Sequence, residues 1–316
     1  MISSVIGSVP HSTASATAPA SLPSASPAVL RRLEWRVRHA VNTSLTGDYR
    51  SSFRGRGMEF DQVVKYQWGD DLRDIDWNVT ARLGEPYRKK FVEERELALI
   101  FLFEDSPALQ FGSAGRTRRD TLLEMAALLM LVGSINRDRV GLLYSSPVTS
   151  WYQKPLPGHK GVMRTASRLL SQEPPPLDGP SECKLPWQFL RTIAPKGSIL
   201  LWFGPFTATD EQPTGWKGLQ QRYQTVGVRA DDPWDRKLPE RANFTAYDPL
   251  QGRLVSINTS SPAEQAAHAR WRDRRDAYFD DLFPQLDDRL QVNNSDDSLD
   301  TLVRYFHRHS HHGIRA

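Results

Sequence analysis

Four short runs are apolar at nearly every position and give way to polar or acidic residues: "LALIFLFED" from Leu97, "RVGLLYS" from Arg139, "SILLWFG" from Ser198 and "YQTVGVRA" from Tyr223. Continuous apolar runs of this length are the pattern of strands buried on both faces. Between the first two lies "TRRDTLLEMAALLMLVGSI", apolar nearly all round, which predicts a buried helix with Thr117 as its N-cap. "GVMRTASRLLSQ" predicts a further helix after the second run, and Ser261 before Pro262 opens another. Strand and helix alternate, so the pattern predicts an α/β fold with a mostly parallel sheet and helices on both faces. Ligands of such sheets sit outside the carboxyl ends of the strands, which directs attention to the loop Phe103 to Gly112.

Ahead of this region the pattern is different. Leu30, Leu33, Val37 and Val41 recur at helical spacing with arginines between them, and Gly47 follows as a stop. "EPYRKKFVEERE" from Glu85 reads as an extended arm. Residues 1–29 are Ser/Ala/Pro-rich low complexity, expected as a disordered tail. The first 30 residues contain no Lys, Arg, Asp or Glu, which fits neither a secretory signal nor a transit peptide. No run reaches the ~18–20 apolar residues of a membrane-spanning helix. "FHRHSHHGIRA" holds four of the eight histidines and is expected to fray as a tail over 307–316.

Composition narrows the picture little. The chain has 316 residues, 39% hydrophobic and 25% charged, as expected of a globular protein. The net charge of +4 is too small and too well mixed to indicate a nucleic-acid partner, although "RRLEWRVRH" and "YRKKF" interleave basic and aromatic residues as such a binder would. A single cysteine, Cys183, excludes an internal disulfide framework and suits a reducing compartment, so a cytoplasmic location is expected.

The unusual stretch is "YQWGDDLRDIDWNVTAR", Tyr66 to Arg82, with four aspartates, two arginines and two tryptophans in no helical or strand period. One reading is structural: Arg73 and Arg82 pair with Asp70, Asp74 or Asp76, and Trp68 and Trp77 bury their rings while each indole N–H finds an acceptor. A second is a recognition surface, since Trp, Tyr and Arg dominate binding hot spots. A third is a metal cluster at Asp70, Asp74 and Asp76, opposed by the adjacent arginines. Ser106 lacks the context of an activated nucleophile, and no phosphate-binding loop is present, so no catalytic residue is assigned.

The block from Gly55 to Arg82 resembles the signature of the domain-of-unknown-function family 58. Gly55, Gly57, Glu59, Phe60, Tyr66, Gly69, Asp70, Arg73, Ile75, Asp76, Trp77, Ala81 and Arg82 match its pattern, and Thr80 fills its hydroxyl position. The likeness continues through "SINRDRVGLL" and "DDPWDRKLPERANFTAYDPLQGRLVSIN". It implies a von Willebrand factor A-like domain over 96–306, preceded by an irregular charged signature segment within 30–95. It also implies a genomic neighbourhood holding a MoxR-class AAA+ ATPase and at times a membrane protein. Such domains often bind Mg²⁺ through Asp-x-Ser-x-Ser after the first strand. Here Glu104, Ser106 and Ala108 stand at those places, and Gly204, Pro205 and Phe206 replace a Ser-Asp-Phe. The resemblance therefore implies a degenerate metal site and no cofactor.

The combined expectation is a non-enzymatic adaptor or chaperone-like cofactor of a MoxR-class ATPase, without a membrane span or nucleic-acid role. Asp105, Ser106, Gln110, Trp68, Asp70 and Arg73 are its expected partner contacts; Gly69, Asp70, Arg73, Asp74, Asp76, Trp77 and Arg82 form the structural signature. The alternatives are a metal-dependent hydrolase using Asp70, Asp74 and Asp76, or a basic nucleic-acid adaptor.

Overall fold

A computed structural model describes residues 27–40, 48–49, 52–53, 60–68, 70–91, 97–113, 115–207, 212–240, 242–248 and 253–312. The expected tail up to residue 26, the proposed stop at Gly47, the signature glycines Gly55, Gly57 and Gly69, and Glu59 lie outside the described residues.

The chain opens with α1 (Pro27–Ala40), then forms a hairpin of β1 (Phe60–Lys65) and β2 (Tyr87–Phe91) with α2 (Trp77–Leu83) between its strands. The main sheet begins with β3 (Ala98–Glu104), followed by α3 (Arg118–Ile135), β4 (Arg139–Ser145), β5 (Ser150–Leu156), α4 (Gly158–Leu170), α5 (Trp187–Leu190), β6 (Ile199–Phe203), α6 (Trp216–Gln220) and β7 (Gln224–Asp231). A short α7 (Pro233–Arg236), the hairpin β8 (Asn243–Asp248) and β9 (Arg253–Asn258), α8 (Pro262–Leu282), β10 (Arg289–Asn293) and α9 (Ser298–His312) complete the described chain.

Six strands form the central sheet in the order β10-β7-β6-β3-β4-β5. All neighbours are parallel except β5, which is antiparallel to β4. The expected mixed α/β architecture with a mostly parallel sheet is therefore present. Strand β3 shows why its sequence is apolar throughout: Leu99, Phe101 and Phe103 enter one core, while Ile100 and Leu102 enter the other. The first core is closed by α1, α3, α4 and α9, the second by α5, α6 and the end of α8. Helix α3 is apolar all round because the sheet covers one side and other helices the rest. Thr117 caps it as expected, in a capping box with Asp120.

Four features differ from the sequence pattern. Strand β5 was not anticipated because Pro155 interrupts it; an edge strand tolerates a proline, and Gly141 on β4 leaves room for the ring. The signature segment is irregular only in part, because β1 and β2 pair in an antiparallel ladder, with a register shift between Phe60 and Gln62, and Ile75 bridges to Arg88. Within it, Asp76 accepts the N–H groups of Asn78 and Val79 to start α2, and Gly84, at φ +74°, ends it. The histidine tail expected from residue 307 is, as far as His312, the last part of α9. Helix α1, the N-terminal helix expected beside the signature segment in 30–95, contributes Leu30, Leu33 and Val37 to the first core.

Close packing between β7 and α8 rests on Gly227. A Cβ there would stand 2.4 Å from the Phe283 ring and 2.7 Å from that of Phe279. Gly227→Ala is expected to lower unfolding free energy by about 1–3 kcal/mol through overpacking. An unchanged urea midpoint would show that the aromatic pair moves aside freely.

Candidate functional site

The strand order reverses at β3, which has β4 on one side and β6 on the other. In parallel sheets that reversal leaves a crevice outside the carboxyl ends of the two diverging strands. Here the crevice is built from the loop after β3, the turn after β6, α7 and strand β8, and it holds a cavity of about 540 Å³.

The last residue of β3, Glu104, and the first of the loop after it, Asp105, turn to opposite faces. Glu104 turns toward the second core, where it accepts the indole N–H of Trp202 at 2.9 Å. A side chain at position 204 would collide with it, since a Cβ there would lie 2.7 Å from Glu104 Oε2. Burial pushes the Glu104 carboxyl up to about 7, partly offset by the Trp202 hydrogen bond. Asp105 is fully buried on the other face. It accepts Arg119 Nε at 2.9 Å and Nη2 at 2.8 Å, and the Tyr144 hydroxyl at 2.8 Å. Ser106 is buried and accepts Ala108 N–H, and Gln110 donates to the Pro175 carbonyl.

These contacts correct the expectation that Asp105 and Ser106 offer themselves to a partner, because both are consumed inside the fold. They also test the metal position. Glu104 is bound to an indole, Ser106 caps its own turn, Ala108 and Pro205 have no side-chain oxygen, and Asp105 points away to Arg119. This donor set does not fit the near-octahedral oxygen ligation of Mg²⁺. Cys183 lies beside the same loop, with its thiol 3.6 Å from the Asp105 carbonyl oxygen, and burial pushes the thiol up, away from the thiolate a nucleophile needs.

A second set of buried charges, missed in the sequence, stands behind the crevice. Arg118 donates to Asp235, and Arg275 donates to Asp235 at 3.0 Å and stands 3.2 Å from Asp231. Arg229 pairs with Asp231 at 2.9 Å and with the more exposed Asp276 at 2.7 Å. Asp232 accepts from Ser113, the Trp234 N–H and Asn294, which ties the first loop to the end of β10. The run "DDPWDR" was the available signal: a capping box of Asp232 and Asp235 with Pro233 at the first helical position, in a segment the family resemblance already covered.

The signature hairpin is a separate surface. Trp68, Leu72, Trp77 and Leu83 are all exposed, with Trp77 at 70% of its full accessibility. The structural reading, in which both tryptophan rings are buried, is corrected, since Trp68 and Trp77 lie in water while caps at Asp71 and Asp76 satisfy nearby backbone N–H groups. Asp70 pairs with Arg88 at 2.7 Å and accepts the Gln67 N–H. Arg73 pairs with Asp71, a residue not singled out before, and Arg82 is exposed. Asp74 is half-buried and Asp76 is the α2 cap. Among the described residues no group of three or more His, Cys, Asp or Glu side chains is placed to hold a metal ion, so Asp70, Asp74 and Asp76 do not converge.

The family model described as "protein of unknown function DUF58" matches residues 62–277. The chain belongs to this family. Among similar proteins, an uncharacterized protein of Mycobacterium bovis and two of Mycobacterium tuberculosis are each 26% identical over 249 residues, covering 77% of this chain and 76% of theirs. Among solved structures, the pilus adhesin SpaC of Lactobacillus rhamnosus GG aligns with a TM-score of 0.33 at 12% identity, over 70% of this chain and 31% of the adhesin. A likeness at that score carries no argument. The DUF58 match begins inside β1 and so includes both the hairpin and the crevice.

Two measurements probe these groups. Asp105→Ala would leave the Arg119 guanidinium buried without its carboxylate, at a cost of about 3–5 kcal/mol. A urea midpoint like the parent's would mean that Arg119 reaches water. For Glu104, the folded carboxyl titrates near 7 against an ordinary value of 4.5. Between those values the folded chain holds the extra proton, so stability falls as pH rises from 4.5 to about 7 and levels off above. Glu104→Gln is expected to gain on the parent across that window and to keep a constant lead above it. A difference independent of pH would refute the burial argument.

Proposed function

We propose that this DUF58 protein is a non-enzymatic interaction module, an adaptor or chaperone-like cofactor of a MoxR-class AAA+ ATPase. The observation that carries the reading is the exposed apolar set Trp68, Leu72, Trp77 and Leu83, presented on a hairpin that projects charged residues around it. Large aromatic rings held in water by a capped, regular scaffold are suited to a protein interface, where Trp and Arg supply most of the binding energy. Asp70, Arg73 and Arg82 form its charged flank and would set register and association rate more than affinity. The choice of a MoxR-class ATPase rests on the family resemblance. The hydrolase alternative loses support from the dispersal of Asp70, Asp74 and Asp76.

The partner surface is therefore placed on the hairpin rather than on Asp105 and Gln110. A Trp68→Ala/Trp77→Ala double variant is expected to match the parent's stability to within about 1 kcal/mol, as exposed side chains do. It should lose co-purification with the host's MoxR-class ATPase. Wild-type protein that never retains such an ATPase, with or without ATP, would sink the adaptor reading; equal retention by both proteins would move the interface elsewhere.

A further inference from the structure

The cavity at the strand-order reversal is unrelated to the hairpin surface and has its own chemistry. Its wall is aromatic: Phe111, Trp234 and Phe244 follow one another at ring separations of 6.1 and 5.0 Å, and Trp271 adds a fourth ring. Two guanidinium groups, those of Arg118 and Arg275, share this lining. At about 540 Å³ it is the size of an ordinary small-ligand site.

The two arginines differ in what they have left to give. Arg275 is filled by Asp235, Asp231 and the carbonyls of Ala230 and Pro205. Arg118 is 9% exposed and donates to Asp235, while its Nη1 reaches the Ala108 carbonyl only at 3.5 Å. Its Nε is buried and makes no hydrogen bond. The Phe111 ring lies 4.8 Å from its guanidinium carbon, a cation–π contact that supplies no hydrogen-bond acceptor. Buried donors without acceptors are rare in folded proteins, and each calls for a reason.

Charge points the same way. Three buried guanidinium groups, on Arg118, Arg229 and Arg275, pair in the interior with only two carboxylates, Asp231 and Asp235. The third, Asp276, has half of its side chain in water, and Asp232 is occupied by neutral donors. Asp248, the one acid of the lining, is itself engaged. A cation is therefore disfavoured, and a neutral apolar ligand would leave Arg118 unanswered.

We propose that the cavity binds a carboxylate carried on an aromatic or aliphatic body, the carboxylate accepting hydrogen bonds from Arg118 and the body lying against the Phe111–Trp234–Phe244 wall. A bare inorganic anion would waste the aromatic wall. Two sources share this chemistry, a small hydrophobic acid and the free carboxyl end of a peptide with an apolar last residue.

The test uses the full chain and needs no ATPase. Tryptophan fluorescence is followed during titration with 2-naphthoate, with the neutral 2-naphthamide, and with a short peptide ending in phenylalanine as free acid or as amide. At least tenfold tighter binding of each acid than of its amide is expected. Ala246→Trp fills the cavity from strand β8, outside both cores; it should melt like the parent and lose binding. Arg118→Met should bind acid and amide alike; if it fails to fold, the Ala246→Trp arm still decides. Tighter binding of the peptide acid than of naphthoate would assign the chain-end source, and the reverse the small-acid source. Absence of saturable binding, equal binding of acid and amide by the parent, or undiminished binding by Ala246→Trp would each overturn the proposal.

Discussion

Carboxylates withdrawn from water fix the carboxyl edge of the sheet. Asp105 joins the end of β3 to α3 through Arg119 and to β4 through Tyr144. Asp232 joins the loop before α3 to the end of β10, and Asp235 joins α3 to α8 through Arg118 and Arg275. A buried ionised group is tolerated only when nearly all its lone pairs are met, so each of these acids dictates where several elements lie. Such pairs need not stabilise the fold relative to apolar residues of the same shape. What they do is make alternatives costly, since a small shift of any partner strands a charge. These pairs hold together the four chain segments that build the crevice.

The aspartates of the signature hairpin work differently. Asp71 and Asp76 accept from backbone N–H groups two or three residues on, and Asp70 pairs with Arg88 across the ladder. These bonds are local, and most of the groups remain wet. They shape a small scaffold in which Ile75 is buried while Trp68, Leu72, Trp77 and Leu83 face outward.

That contrast explains what could be read from the chain. The inner strands were legible because a strand covered on both faces must be apolar at every position, and α3 because its cap and its apolar surface are both local signals. The edges were not. Pro155 disguised β5, and β10 is five residues in which only Leu290 and Val292 are buried. Asp105 read as a surface contact because its loop stands at the ligand edge. Its burial depends on Arg119, 14 positions away, and Tyr144, 39 positions away, and no local period links them. The tryptophans misled in the opposite sense: ring size argues for burial, but neither Trp68 nor Trp77 has a second layer to pack against. The cavity was invisible for the same reason as the Arg/Asp network, since its walls meet only after β8 folds over the strand ends.

Helix α1 lies on α3 and α4, and its Arg36 closes on Glu124 at 3.1 Å and on Asp297, 261 positions further along the chain. The first described helix to leave the ribosome is thus among the last to be fully seated. At about 5–20 residues per second, Arg36 waits roughly ten to fifty seconds for Asp297. A lone helix of 14 residues is marginal in water, so during this interval its apolar stripe is available to other nascent chains. Until α3 and α4 have been made, Leu30, Leu33 and Val37 have no described helix to pack against.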